Sequence, residues 1–538
     1  MKVKSILASA FAILMLGACS KEETGQEGGL ETGDGAVAYL SVQISGEAQT
    51  RAGSGEQSGS TAESDLNTIY MILFDENYQV KATPGAAVYY TKITPPSPGS
   101  ATTPEAQKVS ANSKYLLVIA NPGTKLEGVI TSLNATSAYS VFAEAIRTVQ
   151  TSEIKDATKG YAMISGGDDS GLNPASNKII SDPLVDISGK IQKLSAHNNN
   201  ETAAKSAAEG NRADIKIERI SSKVGLKLAG TITVPSTPTQ AKFTFGKWAL
   251  DALNSEYYPF AEKTVISGTH SPTTHYNFNF YTKDPNFTPS AVTNPVTTGE
   301  GLDFTTINST YDPVLPQGTS WLDAPDNTYC IENTMAAAEQ RYGNATRVVI
   351  KGTYYPDATW TGDWFNFAGT NYQNLAELQA AYQGGGANLV AVCDKMNSQL
   401  RTYAGANAIS FDNAGTGFAD LTANDLSKFP NGGELVKDGK NSVIRWYQGG
   451  LNYYYYEIRH DDETTDIMAF GKYGVVRNNW YSLTLESVAG PGTPWYPDIE
   501  NPGPGDPDPV DPLDEESGYL GIKLEIAPWI LWERPIGI

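Results

Sequence analysis

Hydrophobic and polar positions alternate along much of the chain. Ala36, Ala38, Leu40, Val42 and Ile44 fall on one face, and Val37, Tyr39, Ser41 and Gln43 on the other. That is the two-residue period of a half-buried strand. From residue 66 onward a strand, turn, strand cadence predicts strands over 68–74, 87–93 and 115–120, the last closed by Asn121-Pro122-Gly123. The helical spacing of Val141, Ala145, Ile146 and Val149 predicts a connecting helix over 138–150. Residues 195–213 contain almost no large apolar side chain, so they read as a domain boundary that packs into no core. Alternation resumes over 215–228 and opens a second β-rich region with strands over 242–253, 348–354, 442–447, 453–460 and 480–486, and a short helix over 374–383. Within it, the Thr-, Asn- and Pro-rich stretch 268–325 reads as a long insertion. No period of about 20 to 50 residues repeats, which argues against a solenoid. The pattern predicts an all-β chain of two analogous sandwiches with minor helices.

The two ends depart from this cadence. Lys2 and Lys4 precede an apolar run from Ile6 to Leu16, and small residues Gly17 and Ala18 lead to Cys19, the layout of an export signal. The run is too short to span a bilayer. Leu16-Gly17-Ala18-Cys19 resembles a bacterial lipobox, which implies lipidation at Cys19 and a polar tether over 20–35; a plain secretory signal with a free cysteine is the alternative. The loop 45–60 is rich in Gly, Ser, Glu and Thr and holds Arg51, the only arginine in the first 146 residues. Exposed small-residue loops are where proteases cut.

At the other end, residues 491–512 contain eight prolines in 22 positions. This composition predicts an extended polyproline-like spacer of about 3.1 Å per residue. Beyond it Leu520, Ile522, Leu524 and Ile526 share one face, followed by Pro528, Trp529 and Trp532. Burying four such side chains contributes about 1.5 to 3 kcal/mol each, so this strand must dock. The chain's own sandwich is one place, favoured from the residues alone; the groove of a neighbouring subunit is the other, by donor-strand complementation. The strand matches Ala38, Leu40, Val42 and Ile44 in period and aliphatic character. Cleavage after Arg51, at the Arg51-Ala52 bond, would release the first strand and leave a vacancy that the last one fits.

Composition narrows the function. Sixty acidic against 39 basic side chains give a net charge of −21 over 538 residues. Such a surface repels a phosphate backbone, which excludes nucleic acid as a partner. The sequence lacks GxSxG, GxxxxGK[ST], HExxH, CxxC and EF-hand patterns, and no enzymatic activity or cofactor is expected. Four histidines and three cysteines make a multi-ligand metal site improbable. His270 and His275 share a Thr-rich loop and read as solvated. Asp168-Asp169 and Asp461-Asp462-Glu463 read as turn acids, and Asp506, Asp508 and Asp511 keep the spacer soluble. Cys330 and Cys393 remain after lipidation and either pair or stay reduced. Tyr453 to Tyr456 point rings to both faces of one strand, with at least two expected in the core.

The lipobox, the loop containing Arg51, residues 115–123 (YLLVIANPG), 217–223 (IERISSK) and 473–481 (YGVVRNNWY), and the Pro-rich spacer with its terminal Ala527-Pro528-Trp529 occur in one order. Together they resemble the major fimbrillins of Bacteroidales type V pili, most closely the subunit of the short, or minor, fimbriae and more distantly FimA. The resemblance implies two tandem transthyretin-like β-sandwich domains and a layout of signal peptide (1–18), propeptide (19–51), sandwiches (52–213 and 214–490), linker (491–517) and donor strand (518–538). It further implies a lipidated, palmitate-bearing outer-membrane precursor, cleaved by an arginine-specific protease and polymerised with copies of itself. Accessory anchor and tip pilins would join the filament, which would adhere to host or bacterial surface receptors and serve virulence. The rival is a monomeric lipid-anchored binding protein whose last strand docks on its own domain.

Overall fold

The structure is a computed structural model describing residues 36–46, 57–58, 60–95, 105–146, 151–165, 178–179, 184–265, 280–287, 304–305, 321–383, 434–438, 441–461, 468–494, 511–513, 520–530 and 536–537, apart from 157, 196, 198, 255 and 368. Cys19, Arg51, Ala52, His270, His275, Asp168, Asp169 and Cys393 lie outside the described residues.

The first sandwich begins with strands β1 (Val37–Leu40) and β2 (Val42–Gly46). A two-residue strand, β3 (Gln57–Ser58), and a single helical turn, α1 (Thr61–Ser64), come next. Strands β4 (Ile69–Phe74), β5 (Thr91–Ile93), β6 (Gln107–Ser110) and β7 (Tyr115–Ala120) follow. The domain is completed by helix α2 (Thr124–Thr131), β8 (Met163–Ser165), β9 (Val185–Asp186), β10 (Gln192–Lys193), helix α3 (Glu201–Gly210) and β11 (Ala213–Arg219). β1 is the central strand of a small sheet, between β10 and β6. β2 belongs to the larger facing sheet, where it runs parallel to β11 in register Val42 to Ala213 through Gly46 to Ile217; β8, β7, β4 and β5 continue that sheet, with β9 paired to β7. Ser41, at the break between β1 and β2, is buried, and its carbonyl accepts from the Ala213 amide at 2.9 Å. One short segment therefore stitches both layers of the sandwich together.

The chain changes domain between β11 and β12 (Ser221–Thr233), with Ile220 alone between them. β12, β13 (Lys242–Asp251), β14 (Asn327–Ile331), β15 (Arg347–Tyr355), β16 (Leu451–Glu457) and β17 (Asn479–Val488) form the second sandwich. Near the C-terminus lie β18 (Leu520–Ile530) and β19 (Ile536–Gly537). One sheet has the order β14-β12-β17-β18-β3, the other β13-β15-β16. Trp248, Val349, Tyr454, Leu483 and Leu485 fill the space between them. A four-stranded sheet beside it pairs Trp364–Phe367 with Asn441–Tyr447, and there the indole of Trp364 stacks on Tyr447 at 3.8 Å.

Several expectations change. The seam expected at residue 213 falls at Ile220, because β11 is hydrogen-bonded into the first domain through both β2 and β8. Residues 195–213 are not an unpacked boundary: Ala204 and Ala208 on α3 are buried against Tyr39 of β1. Alanine is the best helix former and packs closely without bulk, so counting large apolar residues overlooks it. Asn200 caps this helix by accepting from the Ala203 amide at 2.8 Å. Of the helix expected over 138–150, the described residues 138–146 hold a single 3-10 turn at Tyr139–Phe142, after which Ile146 pairs with Tyr257. The apolar spacing there marks contacts with the second domain. The stretch 268–325 is not wholly an insertion, since Tyr281 within it is fully buried and its hydroxyl donates to the Tyr473 carbonyl at 2.6 Å. In the tyrosine run only Tyr454 is fully buried; Tyr453, Tyr455 and Tyr456 are half-buried. The Pro-rich spacer is pinned where it is described: Thr493 pairs with Tyr453, and the Leu513 amide donates to the Gln340 carbonyl at 3.1 Å. Leu513 is itself buried.

Candidate functional site: the terminal strands and the domain seam

Ala36, Ala38, Leu40, Val42 and Ile44 all lie in the core of the first sandwich, packed with Met71, Val118, Ile187 and Ile215. The alternation continues through the break at Ser41, so one face of the whole segment stays apolar and enclosed. On the opposite face Tyr39 is covered by α3. The segment has a strand on either side of β1, and β11 and β19 on the two sides of β2. It is an internal wall.

β18 is placed differently. It pairs antiparallel with β17 from Leu520 opposite Val488 to Pro528 opposite Asn479; Leu524 faces Leu483, Ile522 faces Leu485 and Ile526 faces Tyr481. Leu520, Ile522 and Leu524 are half-buried against the second core, and Lys523 is exposed. On its outer side only Trp529 and Ile530 have a strand partner among the described residues, Gln57 and Ser58 of β3. In this structure the last strand thus docks on its own chain.

Between the domains lies a buried polar hub that the sequence did not announce. Ser60 and Glu63 form a capping box around α1, with the Ser60 amide donating to the Glu63 carboxylate at 2.6 Å. The same carboxylate receives Lys223 Nζ at 2.8 Å and the Tyr329 hydroxyl, both from the second domain. Burial alone would raise the Glu63 pKa, but hydrogen bonds from Lys223, Tyr329 and Ser60 outweigh it and hold the carboxyl below its ordinary value. Burial and the neighbouring Glu63 carboxylate push the Tyr329 phenol up. Arg219, fully buried, donates to the Glu63 carbonyl from Nε at 3.0 Å and Nη2 at 2.8 Å. Lys223 also lies 3.7 Å from the Trp480 ring centroid.

This hub gives the quoted motifs a physical role. In YLLVIANPG, Asn121 has φ +48° and its side chain accepts from the Asn67 and Thr68 amides while donating to the Asp65 and Tyr161 carbonyls. In IERISSK, Arg219 and Lys223 grip Glu63. In YGVVRNNWY, Arg477 is buried against Glu332, with Nε to Oε2 at 2.8 Å, and Asn478 accepts from the Arg219 amide at 3.2 Å. Glu63, Tyr329 and Glu332 were missed because their partners are 145 to 266 residues away. The only local signal was the Ser-x-x-Glu capping box.

Among the described residues no group of three His, Cys, Asp or Glu side chains is arranged to hold a metal. His460 is buried with Nδ1 2.8 Å from the Tyr481 hydroxyl, a packing role. Cys330 is a free, buried thiol whose pKa burial pushes up to about 12.

The chain is all-β, with an enclosed first segment and a strand-bearing tail, and the families it matches are those of a structural subunit of a cell-surface fimbrium. Residues 38–219 match the family model of the major fimbrial subunit protein (FimA), and residues 445–534 that of the major fimbrial subunit protein type IV, fimbrillin, C-terminal, half of the chain between them. The chain belongs to the Bacteroidales type V fimbrillins, which are structural and non-enzymatic and whose family implies self-polymerisation with accessory fimbrial proteins in an extracellular fimbrium.

No curated protein matches the chain. Similar solved structures include a fimbrilin (fimA) from Porphyromonas gingivalis W83, at 16% identity and TM-score 0.37 over 92% of this chain and 98% of that one. The tip fimbrial protein Mfa3 from Porphyromonas gingivalis, with a C-terminal truncation, is similar at 11% identity and TM-score 0.34 over 92% and 100%. At such scores these likenesses add nothing to the assignment, which rests on the family models.

Proposed function

We propose that this chain is a stalk pilin that is lipidated at Cys19, cut between Arg51 and Ala52 by an arginine-specific protease, and polymerised by strand exchange. The segment Ala36 to Ile44 departs with the propeptide, and Leu520, Ile522, Leu524, Ile526 and Trp529 of a neighbouring copy enter the vacancy. Anchor and tip pilins complete the filament, which adheres to host or bacterial receptors. The observation that carries this reading is the position of β1 and β2. A segment that walls the core on both layers, and is followed directly by the loop holding Arg51, leaves on removal a groove lined by Met71, Val118, Ile187 and Ile215. A period-two aliphatic strand is the shape that refills it. A chain with both a removable first strand and a donor strand accepts one neighbour and donates to another.

Docking of β18 on β17 favours a second reading, the anchored monomeric binding protein. In the strand-exchange reading that pairing is the storage position of the donor before assembly.

The deciding experiment is N-terminal sequencing and intact mass of protein sheared from the cell surface, beside unboiled gel electrophoresis. A start at Ala52 with an SDS-resistant ladder is expected, and Arg51→Ala is expected to leave lipidated full-length monomer without filaments. A lipidated Cys19 start with monomer only supports the anchored protein, and normal filaments from Arg51→Ala sink the processing step.

A further inference from the structure

Both flanks of the loop that holds Arg51 are paired with the C-terminal segment. Upstream, Gln43 and Ile44 of β2 stand antiparallel to Gly537 and Ile536 of β19. Downstream, Gln57 and Ser58 of β3 run parallel to Trp529 and Ile530 of β18. The last strand thus has its body in the sheet of the second domain and its tip on the edge of the first. β19 and β18 thus pair with β2 and β3, the two strands that a cut after Arg51 would part.

We propose that these two pairings are a latch that ties release of the C-terminal strand to cleavage after Arg51. The proposal rests on the strand-exchange reading and adds its control. Among the described residues β19 has one strand neighbour, β2. Cutting the loop detaches β2 from the mature chain, and when β2 leaves, the tip of the C-terminal segment loses its partner. β3 stays with the mature chain, because α1 next to it is fixed at the seam through Glu63, Lys223 and Arg219. The mature subunit therefore keeps the hold at Trp529 and Ile530 but has lost the hold at its free end. Strand exchange begins from whichever end opens first, since local opening is easiest where backbone hydrogen bonds are fewest. In the precursor the tip is tied to the strand that fills the acceptor groove. A chain whose groove is still occupied consequently keeps its donor strand closed, and donor and acceptor are unlocked by one cut. This guards the uncleaved precursor against donating too early, which would cap a growing filament with a subunit unable to accept the next.

The test is hydrogen exchange, read by mass spectrometry on monomeric full-length precursor carrying Cys19→Ser. Four samples are compared: intact precursor, precursor cleaved after Arg51, precursor lacking residues 535–538, and precursor with Gly537→Pro, which removes a backbone donor at unchanged length. Amides of Leu520 to Ile526 are expected to exchange roughly tenfold faster in the last three than in the intact precursor. Amides of β7 should be unchanged in the two uncleaved variants, as a control for folding. Equal exchange of Leu520 to Ile526 in all four overturns the latch. SDS-resistant ladders from the cleaved sample report separately on polymerisation. Ladders with unchanged exchange reject the latch alone, whereas faster exchange without ladders rejects strand-exchange assembly and leaves the latch standing.

Discussion

Ala38, Leu40, Val42 and Ile44 of β1 and β2 are fully enclosed, with strands on both sides of each, whereas β18 carries a similar alternation half-buried at Leu520, Ile522 and Leu524, with an outer edge paired, among the described residues, only at Trp529 and Ile530. The same two-residue period thus serves two mechanical roles, a wall and a cover. A wall cannot leave while the domain stays folded, so its removal needs a cut in the chain. A cover peels away along one edge. In the proposed assembly, this difference would put the irreversible step at the N-terminal strand and the reversible one at the C-terminal strand.

The contrast is broken most sharply by placing a charge on each strand. Val42→Asp puts an unpaired carboxylate into a sealed core and is expected to destabilise the first domain by more than about 4 kcal/mol. Leu524→Asp, at a half-buried site, is expected to cost about 1 to 2 kcal/mol and leave both domains folded. Urea unfolding followed by circular dichroism measures both, and equal losses would remove the distinction between wall and cover.

The seam sets how independently the two strands behave. Glu63→Ala strands Lys223 as a buried charge and is expected to cost about 3 to 5 kcal/mol, because breaking one side of a buried pair leaves the other uncompensated. A single cooperative transition should split into two by calorimetry if the hub couples the domains. pH gives a gentler version. Hydrogen bonds from Lys223, Tyr329 and Ser60 outweigh burial and hold the folded Glu63 pKa below the ordinary 4.5. The contribution is therefore fully present above pH 4.5 and lost as pH falls through the lower folded value. The stability difference between wild type and Glu63→Gln should shrink in that acidic window and stay level above it.

The smallest effect concerns the cover over Tyr39. Asn200→Ala removes the cap of α3 and is expected to cost about 1 kcal/mol in thermal unfolding of the first domain. Exchange of β1 amides should rise while that of β18 does not.

The strands were legible either as short continuous apolar runs buried on both faces, as in β4 and β7, or as apolar positions recurring every second residue, as in β1 and β2. Residues 115–120 coincide with β7, and the apolar face of 36–44 lies in the core as its period predicts, but the single half-buried strand expected there is two strands in different sheets, with Tyr39 and Ser41 of the opposite face buried as well. Chemistry at the seam was not legible, because Glu63 meets Lys223 and Tyr329 only after both domains have folded. Helix α3 escaped notice because its packing uses methyl groups. The neighbours of the last strand were not predictable either: β3 is two residues of polar sequence whose pairing depends on where α1 is anchored. Alternation reveals that a strand exists and which face it hides, but not which edge it chooses.

The pin at Leu513 bears on the mechanics of a fibre. In the proposed strand exchange, while its amide is held by Gln340, the tether to the donor strand would have the length of six residues, 514–519, and not that of the whole Pro-rich stretch. Fully extended, those six residues reach about 20 Å. Successive subunits joined in that way through so short a tether would not swing freely, and the fibre would resist bending at each joint. Under a pull along its axis the Leu513 anchor would yield before the inserted strand, paying out the proline-rich length as a shock absorber.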